Sequence, residues 1–185
     1  GALERGDRNA LNLAIRRYLC AYAMVFGFGG IPLLYMGDEL GLLNDNSFVN
    51  DPDKAADNRW IHRPQMDWKL AEQAIQGSDP ENVASRIFIG IKNMANARKT
   101  TPSLHASVST VVKSGRGTGV AIFERNHPAG QMIQVYNLSE DSRWIAADEL
   151  AGFGGKAEDR LTGSLIEIGT GISLAPYEAL WLIKA

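Results

Sequence analysis

Two stretches of this sequence concentrate side chains that could do chemistry. Asp38-Glu39 sets two carboxylates side by side just after an apolar run, and strand ends are where parallel α/β folds build their active sites. Acid/base and nucleophilic attack on a glycosidic bond needs two carboxyl groups ~5 Å apart and aimed at one bond. Adjacent residues of an extended strand point to opposite faces, however, so Asp38 and Glu39 are expected to hydrogen-bond neighbouring loop and strand-end groups instead. The second stretch, Asp57-Asn58-Arg59-Trp60-Ile61-His62-Arg63-Pro64, gathers two arginines, an aromatic ring and a histidine in a polar loop. A guanidinium is a planar fork of donors suited to a carboxylate or to hydroxyls, and an indole offers a flat apolar face. On residue types alone the arginines either bind such groups or tie the loop down.

Other chemistries find no support in the spacing. His62, His105 and His127 are far apart and Cys20 lies in a helical run, so no metal site is expected. Gly152-Phe153-Gly154-Gly155 is followed by no Lys-Ser/Thr pair and lacks the strand-to-helix setting of a phosphate loop. No serine stands in a nucleophile elbow.

The elements that must carry these residues fall into two regions. Leu11, Leu13, Ile15, Leu19, Tyr22, Ala23, Val25 and Phe26 recur with helical spacing behind Asp7 as N-cap, which predicts a helix over 7–26. Gly27, Gly29 and Gly30 end it, and the apolar run 31–37 reads as a strand buried on both faces, which calls for parallel neighbours. Residues 39–67 are a long polar loop rich in Asn and Asp, of the kind that is functional or disordered. Asp79-Pro80-Glu81 signals a second helix that ends near Lys99, with Val83, Ile87, Ile91, Met94 and Ala95 on one stripe. Beyond Thr101-Pro102-Ser103, short alternating runs predict antiparallel strands at 107–113, 118–125, 131–138, 142–146, 164–168, 172–174 and 178–183. Turns are expected at Gly115-Arg116-Gly117, at 126–130 and at Gly169-Thr170-Gly171.

Composition narrows the classes of partner. A formal net charge of −2 without a basic cluster excludes attraction to nucleic acid or an acidic membrane, and suits a small neutral substrate. With 45% hydrophobic and 22% charged residues the chain reads as globular. Its single cysteine, Cys20, forbids an internal disulfide and reads as a small buried hydrophobe. The longest apolar stretch, 19–35, is interrupted by Gly27, Gly29, Gly30 and Pro32, so no membrane helix is expected. Gly1-Ala2-Leu3-Glu4-Arg5 has no signal-peptide character, so the cytoplasm is the expected compartment.

The run Gly30-Ile31-Pro32-Leu33-Leu34-Tyr35-Met36-Gly37-Asp38-Glu39 resembles the eighth barrel strand of the α-amylase superfamily, whose pattern is roughly G-x-P-x-x-Y-x-G-x-E. Leu43-Asn44-Asp45 and the 57–64 motif resemble the long loop after that strand in amylosucrases and related sucrose hydrolases. The resemblance continues through Asn96-Ala97-Arg98-Lys99 to Leu174-Ala175-Pro176-Tyr177-Glu178-Ala179-Leu180-Trp181-Leu182, which in that family closes a C-terminal β-sandwich. It implies an α/β plus all-β chain. Residues 1–100 would be the C-terminal end of a (β/α)8 TIM barrel, with the eighth strand and flanking helices, and residues 101–185 an antiparallel β-sandwich.

The same resemblance implies a parent enzyme that cleaves sucrose with retention, through a β-glucosyl-enzyme, and passes glucose to a growing α-glucan or to water. No cofactor is implied. The family's catalytic carboxylates lie on earlier strands, so this chain is expected to hold no catalytic residue, to be inactive alone, and to self-associate or pair with the missing barrel part. Arg59 matches an arginine that pairs with an acidic residue at the closed end of the glucosyl pocket. Asp57, Trp60, His62 and Arg63 match the surrounding motif as loop-shaping or pocket-adjacent residues. Rival readings are another member of the superfamily, such as an α-glucosidase or trehalose-forming enzyme, and a non-catalytic carbohydrate-binding β-sandwich. The longer 57–64 motif argues against the first. The second predicts a row of exposed aromatics on one sheet face, whereas Trp144 and Trp181 stand in strands patterned as core.

Overall fold

The computed structural model describes residues 2–77, 79, 81–113, 119–150 and 152–185, so the turn expected at Gly115-Arg116-Gly117 lies outside the described residues. The chain groups into two compact units, residues 1–32 with 92–185, and residues 33–91.

In the first unit a single turn, α1 (Ala2–Arg5), precedes the long helix α2 (Arg8–Phe28). Asp7 caps α2 as its sequence predicts, its Oδ1 accepting from Ala10 N at 3.0 Å. The described strands are β1 (Thr110–Lys113), β2 (Val120–His127), β3 (Gly130–Asn137), β4 (Arg143–Ala146), β5 (Lys156–Asp159), β6 (Leu165–Glu167), β7 (Gly171–Leu174) and β8 (Ala179–Lys184). They form a six-stranded sheet in the order β1-β2-β3-β8-β5-β6, antiparallel throughout, and a two-stranded sheet β4-β7. The two-residue alternation of a strand divides the large sheet's side chains between its faces. Ile122, Ile133, Val135, Leu180 and Leu182 point to one face and bury themselves with Ile145, Ile172 and Leu174 of the small sheet. This is the sandwich core that the alternating runs predict.

On the other face, Arg125, Gln134, Tyr136 and Trp181 are buried and clasp α2. Gln134 Nε2 donates to Gly27 O at 3.0 Å and Trp181 Nε1 donates to the Tyr136 hydroxyl at 3.1 Å, while that hydroxyl lies 3.3 Å from Ala23 O. Among the described residues, Arg125 has no carboxylate partner. It donates to the carbonyls of Ser103 (2.6 Å), His105 (2.8 Å) and Phe28 (2.6 Å), and Arg98 donates to Phe26 O and Gly30 O. Two guanidiniums thus satisfy carbonyls that the end of α2 leaves open, the end where its dipole favours positive charge. Gly27 permits the close approach, because a Cβ there would sit 2.4 Å from the Tyr136 hydroxyl oxygen.

Several expectations are corrected. The run 31–37 is not a buried strand: 31–35 takes no regular secondary structure and joins no ladder among the described residues, and Ile31 and Leu33 are 89% and 80% exposed. An apolar run becomes a doubly buried strand only when other strands bond to both of its edges. Trp144 is 61% exposed, since the alternation of β4 sends Ile145 inward and Trp144 out; Trp181 is fully buried. β5 carries no sequence signal that predicts it. The Pro128-Ala129 turn joins β2 to β3, at the place where the sequence predicts a hairpin. No helix among the described residues is long and apolar enough to cross a membrane.

The second unit holds a helix absent from the sequence expectations, α3 (Trp68–Gln76), capped by Asp67 Oδ1 on Leu70 N at 2.9 Å and ended by Gly77 in a left-handed turn. Helix α4 (Val83–Thr100), of which residues 83–91 fall in this unit, begins at Val83 rather than at Pro80, because Asn82 Oδ1 caps it on Ser85 N at 3.0 Å. Leu40, Ala74 and Ala84 form a small core, with Leu42, Met66, Leu70 and Phe88 packed around it.

Candidate functional site

The residues singled out for chemistry lie in the second unit, around a cavity of about 460 Å³, within the size range of small-molecule sites. One wall follows the exposed apolar run. Gly37, at φ 91°, turns the chain into a 3-10 turn at Asp38–Leu40, and Glu39 Oε2 folds back to accept from Gly37 N at 3.0 Å. Asp38 lines the cavity with Tyr35, Met36 and Leu42. Glu39 is not among the lining, and the extended-strand geometry expected of the two carboxylates is absent, since both stand in the 3-10 turn.

The opposite wall is the polar loop. Short side chains that bond to nearby backbone N–H groups organise it, in place of a repeating hydrophobic pattern. Asp45 caps the turn Asn46–Asn50 through Ser47 N (2.8 Å), and Asp57 caps the turn Asn58–His62 through Arg59 N (3.0 Å). The two turns are tied by Asp45 N donating to Ile61 O (2.9 Å) and by His62 Nδ1 donating to Asn44 Oδ1 (3.1 Å).

Of the motif residues, Arg59, His62 and Arg63 line the cavity; Asp57 and Trp60 are not among its lining. Spacing explains part of the division: His62 is three residues from Arg59, and positions i and i+3 share a side in a 3-10 turn. Arg59 is 72% exposed at its side chain and grips Asp57, its Nε 2.8 Å from Oδ1 and its Nη2 2.8 Å from Oδ2. Hydrogen bonds from Arg59 hold the Asp57 carboxyl down at about 2, well below its ordinary range. Trp60 is engaged by cations: Lys54 Nζ lies 5.3 Å and the Arg63 guanidinium 5.5 Å from its ring centre. This describes an aromatic that shapes the loop.

The cavity therefore offers one carboxylate, two guanidiniums and an imidazole set among apolar side chains. Such a lining can orient a polyhydroxyl compound or hold an anion. It lacks the two facing carboxyl groups that a double displacement needs. Sequence reasoning named the charged residues; Tyr35, Met36 and Pro64 stood in the quoted motifs with no role given to them, and Leu42 was missed. No group of three or more His, Cys, Asp or Glu side chains among the described residues is arranged to hold a metal ion.

Residues 109–183 match the family model described as the amylosucrase C-terminal domain. The glucosylglycerate phosphorylase of Escherichia coli (strain K12) is 20% identical over 166 residues, covering 90% of this chain and 28% of that protein. The chain thus spans under a third of the length of this curated relative. Among solved structures, Ttha1563 from Thermus thermophilus superposes with a TM-score of 0.65 at 23% identity, over 92% of this chain and 31% of that one. An α-amylase from Geobacillus thermoleovorans, complexed with acarbose, superposes at 0.63 and 20% identity, over 92% and 34%. Residues 109–183 are thus similar to the amylosucrase C-terminal domain, and the fold of most of the chain is shared with these solved structures.

Proposed function

We propose that the chain is the C-terminal part of an amylosucrase-like enzyme that cleaves sucrose with retention and transfers the glucosyl group to an α-glucan or to water. Residues 1–100 are then the end of its catalytic barrel, with 31–36 as the eighth strand awaiting neighbours, and 101–185 its β-sandwich. The catalytic carboxylates belong to parts of the parent protein outside these residues. Arg59 binds at the closed end of the glucosyl pocket, with His62 and Arg63 beside it, while Asp57 and Trp60 hold the loop.

One observation carries the reading. The exposed apolar run ends directly at a cavity whose lining is suited to hydroxyl groups and holds Arg59, and strand ends are where barrel enzymes bind substrate. The match of residues 109–183 to the amylosucrase C-terminal model favours sucrose over other glucosides.

The similarity to a glucosylglycerate phosphorylase favours a second reading, in which inorganic phosphate is the glucosyl acceptor. The test is an assay of the intact parent protein on sucrose with and without phosphate. Fructose release with glucan or glucose as co-product supports the first reading. Glucose 1-phosphate formed only when phosphate is present supports the second, and no cleavage of sucrose in either assay overturns the sucrose assignment.

A further inference from the structure

Four backbone carbonyls where the chain leaves α2 are held by side chains from four other elements, all within the first unit. Phe26 O accepts from Arg98 of α4, and Gly27 O from Gln134 of β3 at 3.0 Å. Phe28 O accepts from Arg125 of β2 at 2.6 Å and from the Thr110 hydroxyl of β1, and Gly30 O accepts from Arg98 again. The Thr110 hydroxyl in turn accepts from Arg125 Nη1 at 2.6 Å. The clasp closes on a link that glycine alone would leave soft. Gly29 and Gly30 stand at φ 146° and 60°, where other side chains are strained, and a Cβ on Gly29 would lie 2.9 Å from Arg125 Nη1.

A helix end needs less than this. Water or a terminal glycine turn satisfies open carbonyls, and two guanidiniums in one place repel, Arg98 acting on Arg125 as a like charge. What the arrangement adds is direction. Each guanidinium is a rigid fork, so Arg98 spans Phe26 and Gly30 while Arg125 reaches Phe28 between them, and the link is held at both ends and in its middle. The chain leaves the first unit two residues beyond Gly30, and Tyr35, Met36 and Asp38, further along the same run, line the cavity at Arg59. A displacement of about 1 Å in such a lining is enough to slow a reaction steeply.

We propose that Arg98 and Arg125 are positioning residues for the reaction at that cavity: by immobilising the Gly29-Gly30 link they set where residues 31–36 begin, and through that run they place the wall formed by Tyr35, Met36 and Asp38. Neither arginine touches substrate. The kinetic consequence rests on the sucrose reading, whereas the mechanical one does not.

The test uses the intact parent protein with Arg98→Lys and Arg125→Lys, which keep the charge and lose the fork. kcat and KM for sucrose are measured where melting curves show each variant folded, and hydrogen exchange is followed by mass spectrometry. kcat/KM is expected to fall about tenfold or more in both variants, with faster exchange over residues 29–38 and unchanged exchange in β3 and β8. Thr110→Val removes one donor to Phe28 O at nearly constant volume and serves where an arginine variant fails to fold; its expected fall in kcat/KM is about threefold or more. Exchange over 29–38 that stays at the wild-type rate overturns the proposal. So does exchange that quickens equally in β3 and β8, which would make the arginines general stabilisers, or a kcat/KM that stays at the wild-type value. If the wild type cleaves no sucrose, the sucrose reading fails separately, and the exchange pattern alone decides whether the clasp places the cavity wall.

Discussion

At the scale of single residues, the pair formed by Asp57 and Arg59 is open to direct test. The Asp57 carboxyl is held at about 2, below its ordinary 3.8, chiefly by side-chain hydrogen bonds from Arg59. A depressed carboxyl supports the folded loop fully above its ordinary pKa, and that support is lost as pH falls through the folded value. The loop should therefore keep its Asp57–Arg59 geometry down to about pH 2. A carboxyl NMR titration of Asp57 checks this: a midpoint near 2, returning toward 3.8 in Arg59→Ala, is expected, and an ordinary midpoint in the wild type rules the pair out in solution. Cys20 makes a second prediction. Burial pushes its thiol up to about 11, so it should resist alkylation at about pH 8 in the folded chain and react once the chain is denatured. The residue types of the 57–64 motif were legible in the sequence. The side each one faces was not, because it depends on a 3-10 turn set by the Asp57 cap.

At the scale of elements, helix α2 owes its position to polar groups rather than to its apolar stripe alone. Gly27→Ala decides between two effects of opposite sign. Alanine in a helix gains ~1 kcal/mol over glycine, but the new methyl would lie 2.4 Å from the Tyr136 hydroxyl and 3.0 Å from Gln134 Nε2. Overpacking costs ~1–3 kcal/mol, and the hydroxyl is fixed by its bond from Trp181. Net destabilisation is the expected outcome, read as a lower melting temperature; a rise would mean that the sheet does not press on Gly27. Elements built from local signals were legible: the Asp7 cap with its helical period, and the alternating runs of β2, β3 and β8. Those specified from a distance were not. Lys156-Ala157-Glu158-Asp159 has the composition of no strand and becomes β5 by pairing with β8 and β6. The run 31–37 has the composition of a buried strand, yet joins no ladder among the described residues. Asp79-Pro80-Glu81 resembles a cap and so misplaces the start of α4, when Asn82 supplies the cap; α3 escapes the apolar pattern although Asp67 and Gly77 mark both its ends.

At the scale of the whole molecule, the exposed run predicts behaviour in solution. Ile31, Leu33 and Met36 are 89%, 80% and 52% exposed, and exposed apolar patches of more than a few hundred Å² drive association. The 185-residue chain is expected to form dimers or larger species and to bind a hydrophobic dye, and the double substitution Ile31→Ser with Leu33→Ser is expected to reduce both. Light scattering that shows a monomer for the wild type would contradict this. The central claim, that this chain completes a sucrose-acting pocket through Arg59, is tested most directly in the intact parent protein. The measurement is kcat/KM for sucrose in the wild type, Arg59→Ala and Arg59→Lys. The account predicts a fall of about tenfold or more for both variants, since an ammonium does not reproduce the guanidinium fork. A change of less than about threefold in both variants, under ~1 kcal/mol, would contradict it and leave Arg59 as an anchor of its own loop.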